Sequence, residues 1–190
     1  MPISLKKGQK VSLTKENPGL KNVVVGIGWD INAFDTGGDF DLDAAAFCLT
    51  DSGKVSDQKD FVFYGNLTHP SGAIQHMGDN LTGEGEGDDE QIVIDLSRVP
   101  AEYDKIVIVV NIYQAVQRKQ HFGMIENAFI RLVDARNNKE MCKYNLTENY
   151  SGMTAMIFGE IYRHNGEWKF NAMGNGTTDP GIGELCRRFS

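Results

Sequence analysis

The sequence predicts a mainly β protein: a two-sheet antiparallel β-sandwich with a few short helices, one of them C-terminal. Three observations point there. Apolar stretches rich in Val, Ile and Phe recur along the chain at strand length. Turn residues separate them closely, above all Asn165-Gly166, which suits the positive φ angles of a type I′ hairpin. Few segments read as helices, and about nine strands on short connections favour layered antiparallel sheets.

Residues 23–29 open the series; Val-Val-Val-Gly-Ile-Gly-Trp is β-branched and bounded by polar residues. Residues 44–49 are short and apolar throughout. Residues 60–64 and 91–96 alternate in part, as half-buried strands do. Residues 105–113 include Ile-Val-Ile-Val-Val, a run that suits a strand covered on both faces. Residues 128–134 alternate, residues 140–146 and 155–163 follow, and residues 168–170 return across the Asn165-Gly166 turn. A second turn is expected at Asn137-Asn138. Residues 100–104 suit one helical turn. Asp179-Pro180 suits a helix start, with Asp as N-cap and Pro at the first helical position. It leads into residues 181–189, where Arg187 and Arg188 suit a helix C-terminus. Residues 67–89 show no periodicity, and a loop of that length is usually functional or disordered.

Residues 1–190 read as one domain, with no internal repeat and no low-complexity linker. The 41% hydrophobic and 24% charged content is ordinary for a globular protein. No apolar run approaches the roughly 18 residues of a membrane span. No secretory signal is seen at the N-terminus, so a cytoplasmic location is expected. Cys48, Cys142 and Cys186 are odd in number and widely spaced. That argues against a disulfide framework and for a reducing compartment.

The net charge of −7 is unevenly spread. Residues 22–53 and 60–97 together hold fourteen of the 26 acidic residues and none of the 19 basic ones. Phosphate repels such segments, so no nucleic acid is expected at the acidic face. The basic remainder of the chain or a metal ion must balance them.

The densest pattern runs Gly78-Asp79-Asn80-Leu81-Thr82-Gly83-Glu84-Gly85-Glu86-Gly87-Asp88-Asp89-Glu90. Carboxylates and glycine-rich backbone together suit Ca²⁺, which takes six to eight oxygens from carboxylates and carbonyls. The absence of His and Cys there disfavours Zn²⁺ and Cu²⁺, and Mg²⁺ seldom uses an all-protein cage. A solvated acidic loop is the alternative. The second pattern joins Asp30 with Asp39-Phe40-Asp41-Leu42-Asp43. In an extended chain these three aspartates share one face, which is unfavourable unless a cation sits among them. The spacing is not that of an EF-hand, because Ala44 and Thr50 stand where Gly and Glu are needed. An exposed edge strand kept soluble by charge is the alternative here.

Other candidates are weaker. Gly26-Ile27-Gly28 lacks the third glycine and following helix of a dinucleotide site. His69, His76, His121 and His164 lack ligand spacing. No cysteine has a base beside it, and Ser71-Gly72 lacks a nucleophile-elbow context. Residues 118–122 form a small basic patch that suits a solvated turn.

Gly28-Trp29-Asp30, the segment from Asp39 to Ala44, and the glycine-rich motif from Gly78 to Glu90 resemble the signature of TerD-type tellurium-resistance proteins. Phe129-Ile130-Arg131-Leu132, Phe158-Gly159-Glu160-Ile161-Tyr162-Arg163 and the opening Ile3-Ser4-Leu5-Lys6-Lys7-Gly8 with Val11-Ser12-Leu13 match in the same order. The resemblance implies a two-sheet β-sandwich with adjacent Ca²⁺ sites in its loops. It implies bacterial cytoplasmic stress proteins linked to tellurite, phage and colicin resistance, some relatives being described as binding cyclic nucleotide. Carried onto this chain, it places metal ligands among Asp30, Asp39, Asp41, Asp43, Asp79, Asn80, Gly83, Glu84, Asp88, Asp89 and Glu90, with Asn80 and Gly83 acting mainly through carbonyl oxygens. One ion cannot take all eleven, so one or two Ca²⁺ ions are implied.

The leading functional expectation is a non-enzymatic Ca²⁺-binding module whose ion orders a surface for other stress-response proteins. Two readings stand beside it. One is a two-metal enzyme acting on a phosphoester or nucleotide, although no general acid is evident. The other is a protein in which Ca²⁺ bridges a small anionic ligand, such as a nucleotide phosphate or an oxyanion.

Overall fold

The computed structural model describes residues 3–31, 42–77, 90–146 and 150–190. Its elements run in order β1 (Ile3–Leu5), β2 (Lys10–Ser12), α1 (Leu13–Glu16), β3 (Asn22–Ile31), β4 (Leu42–Thr50), β5 (Phe61–Val62), β6 (Ile74–His76), β7 (Glu90–Asp95), β8 (Tyr103–Ile112), α2 (Ala115–Arg118), β9 (Ile125–Asp134), β10 (Lys139–Asn145), β11 (Ala155–His164), β12 (Glu167–Thr177) and α3 (Ile182–Arg188). They form two six-stranded sheets. The first has the order β1-β10-β9-β3-β7-β6 and the second β2-β12-β11-β8-β4-β5. All pairings among the described strands are antiparallel except β1 with β10. The mainly β, two-sheet expectation therefore holds.

The continuous apolar runs have a physical reason. β4 and β8 are central strands of the second sheet, and both their faces are covered. Leu42, Ala44, Ala46 and Cys48 face the core between the sheets, with Ile106, Ile108, Val110 and Ile112 beside them. Ala45, Phe47, Leu49, Val107 and Val109 face outward into a second cluster that Leu185 of α3 closes. Phe47 meets the Phe61 ring edge-on at 4.8 Å and the Phe189 ring at 5.5 Å. The C-terminal helix is thus a third layer over one sheet, which removes the need for alternation in β4.

The turns follow their residues. Asn165 and Gly166 have φ of 50° and 78°, as the hairpin between β11 and β12 requires. Asn138 also sits at positive φ between β9 and β10. Three local expectations change. The C-terminal helix starts at Ile182 with Gly181 as N-cap, two residues after the Asp179-Pro180 step. Asp179 instead binds the Thr177 hydroxyl and the Arg188 side chain, tying the helix end back to β12. Residues 100–104 form no helix: a turn with the Tyr103 amide donating to Pro100 O leads directly into β8 at Tyr103. The aperiodic stretch contains β6, whose three residues are too few to show a period.

Candidate functional site

β3 ends and β4 and β7 begin at one end of the sandwich. Glu90 pairs in register with Ile27 near the end of β3. The Met77 amide donates to Gln91 O, which holds the end of β6 beside the start of β7. Ile31, Leu42, Met77 and Glu90 therefore place both ends of two acidic segments, residues 32–41 and 78–89, at this end. Of the eleven candidate ligands, Asp30, Asp43 and Glu90 are described. Asp39, Asp41, Asp79, Asn80, Gly83, Glu84, Asp88 and Asp89 lie outside the described residues.

Glu90 is 3% exposed, and its Oε2 accepts the Ala44 amide at 2.7 Å. His76 is also buried, and its Nε2 lies 3.1 Å from Ala44 O and 3.6 Å from Glu90 Oε2. A carbonyl only accepts, so Nε2 carries the proton and donates to it. The local reason is an uncovered strand edge. β5 pairs with β4 only at Ala46 and Phe47, so the β4 backbone at Ala44 extends beyond it. Two side chains of the first sheet satisfy that N–H and C=O instead, and so join the sheets at this end.

Asp30 stands on the rim and is exposed. Between Gly28 and Asp30, β9 carries one residue more than β3, because Gly28 pairs with Phe129 and Asp30 with Glu126. Asn127 lies in this bulge at φ 55°, and its Nδ2 donates to Asp30 Oδ2 at 2.9 Å. The bulge thus aims the Asp30 carboxylate. Asp43 lies at the same end but on the other face of the second sheet. It alternates with Ala44, so its side chain falls on the outer face of β4, opposite Asn111 of β8. The described carboxylates do not converge among themselves, and no three His, Cys, Asp or Glu side chains among the described residues could hold a metal. A cage at this end needs donors from the two acidic segments.

A second polar cluster lies under β8. Asp60 Oδ1 accepts the Tyr103 hydroxyl at 2.6 Å and lies 2.9 Å from His69 Nε2. Its Oδ2 accepts the amides of Ser56 and Asp57 and the Ser56 hydroxyl. Burial pushes the Asp60 carboxyl up, but the bonds from Tyr103, His69 and Ser56 outweigh it and hold the group below its ordinary value. The Ser71 amide donates to His69 Nδ1 and the Ser71 hydroxyl lies 2.7 Å from it. Nδ1 is therefore an acceptor, and Nε2–H points at Asp60. Sequence reading found neither this cluster nor Asn127; the signal for Asn127 was an Asn inside an alternating strand, a residue that tolerates left-handed backbone.

Burial pushes Cys142 up to about 12 and Cys186 up to about 11, and lifts Cys48 further. Among the described residues no helix is long and apolar enough to cross a membrane.

The model of the TerD domain family matches residues 1–189. The chain is 53% identical over 189 residues to Tellurium resistance protein TerD of Serratia marcescens, covering 100% of this chain and 97% of that protein. It is 55% identical over 176 residues to General stress protein 16U of Bacillus subtilis (strain 168), covering 93% of this chain and 91% of the relative. A solved homologue of telluride resistance protein TerD from Streptomyces coelicolor A3(2) shares the fold at a TM-score of 0.68 and 22% identity, over 90% of this chain and 99% of that one. The chain belongs to the TerD family.

Proposed function

We propose that this chain is a non-enzymatic, cytoplasmic Ca²⁺-binding stress protein. In this reading residues 32–41 and 78–89 take up one or two Ca²⁺ ions and so order a surface for a partner protein. The observation that supports it most is that the four residues flanking both acidic segments meet at one end of the sandwich. Carboxylates brought together there repel one another unless a cation offsets them. Ca²⁺ would supply that charge and accept oxygen ligands in variable number. Asp39, Asp41, Asp79, Glu84, Asp88 and Asp89 would give carboxylates, and Asn80 and Gly83 carbonyl oxygens. Asp30 would join from the rim, held by Asn127. Glu90, committed to the Ala44 amide, anchors the end of the second segment.

Two observations favour binding over catalysis. The Ser71, His69 and Asp60 chain is consumed by the fold: the Ser71 hydroxyl accepts the Ala73 amide, and Asp60 is surrounded by donors. Burial raises the thiols of Cys48 and Cys142, which disfavours the thiolate a nucleophile needs. The names of the relatives, a stress protein and a tellurium-resistance protein, agree with a stress role.

The test is the double substitution Asp41→Asn with Asp88→Asn. Both lie within the acidic segments and apart from the Glu90 anchor. Ca²⁺ affinity should fall at least about tenfold, since charge count tunes such sites, while the chelated protein keeps its melting temperature. Unchanged affinity would refute the assignment.

A further inference from the structure

On the outer face of the second sheet, at the same end, a recess of about 180 Å³ lies between β4, β8, α2 and the start of α3. Asp43, Asn111, Tyr64, Tyr113, Gln117 and Ile182 line it. Asp43 and Asn111 are directly opposite in the β4–β8 register, and they are 5% and 2% exposed. Outward-facing Val107 and Val109 precede Asn111 on β8 and belong to the apolar cluster under α3. An apolar residue would have continued that cluster, and Asn is disfavoured inside strands. Asn111 Oδ1 is buried and meets no hydrogen-bond donor among the described residues. A buried amide oxygen without a donor destabilises the fold.

We propose that this recess is a binding site for a small primary alkylammonium. Asn111 Oδ1 accepts from an N–H or an O–H, and the Asp43 carboxylate beside it favours a cationic N–H donor. Tyr64 and Tyr113 line the recess and stand half-exposed, and aromatic rings attract a cation. Tyr113 already seats one: the Arg118 guanidinium lies 5.6 Å from its ring centroid without lining the recess. Ile182 offers an apolar wall for a short alkyl tail. The volume corresponds to about six waters, enough for a four-carbon ammonium. The site lies on the face of β4 opposite the Glu90 side and uses Asp43, which is not among the donors assigned above to the Ca²⁺ site.

The test is an NMR titration of the full chain with n-butylammonium, using 1-butanol as the neutral isostere, in excess Ca²⁺ so that the acidic segments are not competing. Saturable shifts should appear at the Asn111 side-chain amide and at the Tyr64 and Tyr113 rings with the ammonium and not with the alcohol. Asn111→Leu should weaken binding at least tenfold while the melting temperature stays level or rises, because a buried orphan acceptor has gone. Asn111→Ser serves as the second variant and should show the same loss of binding. Absent shifts, equal shifts with 1-butanol, or full affinity in a folded Asn111 variant would overturn the proposal. So would a lowered melting temperature of Asn111→Leu with binding intact, which would make Asn111 a structural residue.

Discussion

Glu90 of the first sheet and Ala44 of the second are joined directly, carboxylate oxygen to backbone amide, at 2.7 Å in a buried setting. His76 takes the Ala44 carbonyl from the same side. The contact does what a neighbouring strand would do, and it lies where the acidic segment of residues 78–89 returns to the fold. Glu90→Ala should therefore destabilise the protein by about 1–3 kcal/mol, the cost of a buried N–H left without an acceptor. Urea denaturation measures it. A change within about 0.5 kcal/mol, typical of a surface position, would mean that the contact contributes little.

Asp60 gathers donors from Tyr103, His69, Ser56 and Asp57. Asp60→Ala should cost roughly 3–5 kcal/mol, as expected when a buried charge network loses its centre. Its carboxyl is lowered in the folded state. A lowered folded pKa gives stability that is complete above the unfolded value of about 3.9 and lost as pH falls through the folded value. The stability difference between the wild type and Asp60→Asn should thus be constant from neutral pH to the ordinary carboxylate range and shrink below it. Urea midpoints measured from pH 7 down to acid would show this; a difference that grows on acidification would contradict it.

Gly174 lies in β12 at φ +61°. A Cβ there would collide with the Tyr144 hydroxyl and stand 3.0 Å from that of Tyr150, which donates to Gly174 O at 2.9 Å. Gly174→Ala should destabilise by about 2–4 kcal/mol, combining left-handed backbone with overpacking. Adding Tyr144→Phe should recover part of the loss. Thermal melts of the two variants decide it, and a neutral Gly174→Ala would show that the space is not as tight as the geometry says.

The cysteines give a chemical prediction. Cys48 and Cys142 are buried, and all three thiols are raised, Cys142 to about 12 and Cys186 to about 11. A thiol-specific reagent at pH 8 should leave Cys48 and Cys142 unmodified in the native protein and react with all three thiols in urea. Fast native labelling of either buried thiol would reopen a role for sulfur chemistry.

Much of this fold is legible in the sequence because long strands carry their own signal. The Ile-Val-Ile-Val-Val run of β8 and the Ala-rich β4 are apolar on both faces, since α3 covers the outside of the second sheet. β1, β2 and β6 are not legible, because three residues show no period, and the partners of β1 and β2, such as Cys142 for Ile3, are far away in the chain. Asp179-Pro180 reads as a helix start, but pairing of Asp179 with Arg188 and Thr177 outcompetes the cap. The acidic motifs single out Asp30, Asp43 and Glu90 by composition. What composition cannot carry is direction: Glu90 turns inward to Ala44, Asp43 turns outward to Asn111, and Asp30 is aimed by a bulge residue nearly a hundred positions later.

The two acidic segments are proposed to form a Ca²⁺ site. Calorimetric titration of the chelator-stripped protein with Ca²⁺, with Mg²⁺ as control and melting temperature in parallel, tests it most directly. One or two sites of micromolar affinity or tighter are expected for Ca²⁺, with weaker binding of Mg²⁺. The melting temperature should rise, since an ion at about 100 times its Kd adds about 2.7 kcal/mol to a state that alone binds it. No Ca²⁺ binding and an unchanged melting temperature would contradict it and leave the segments as solvated loops.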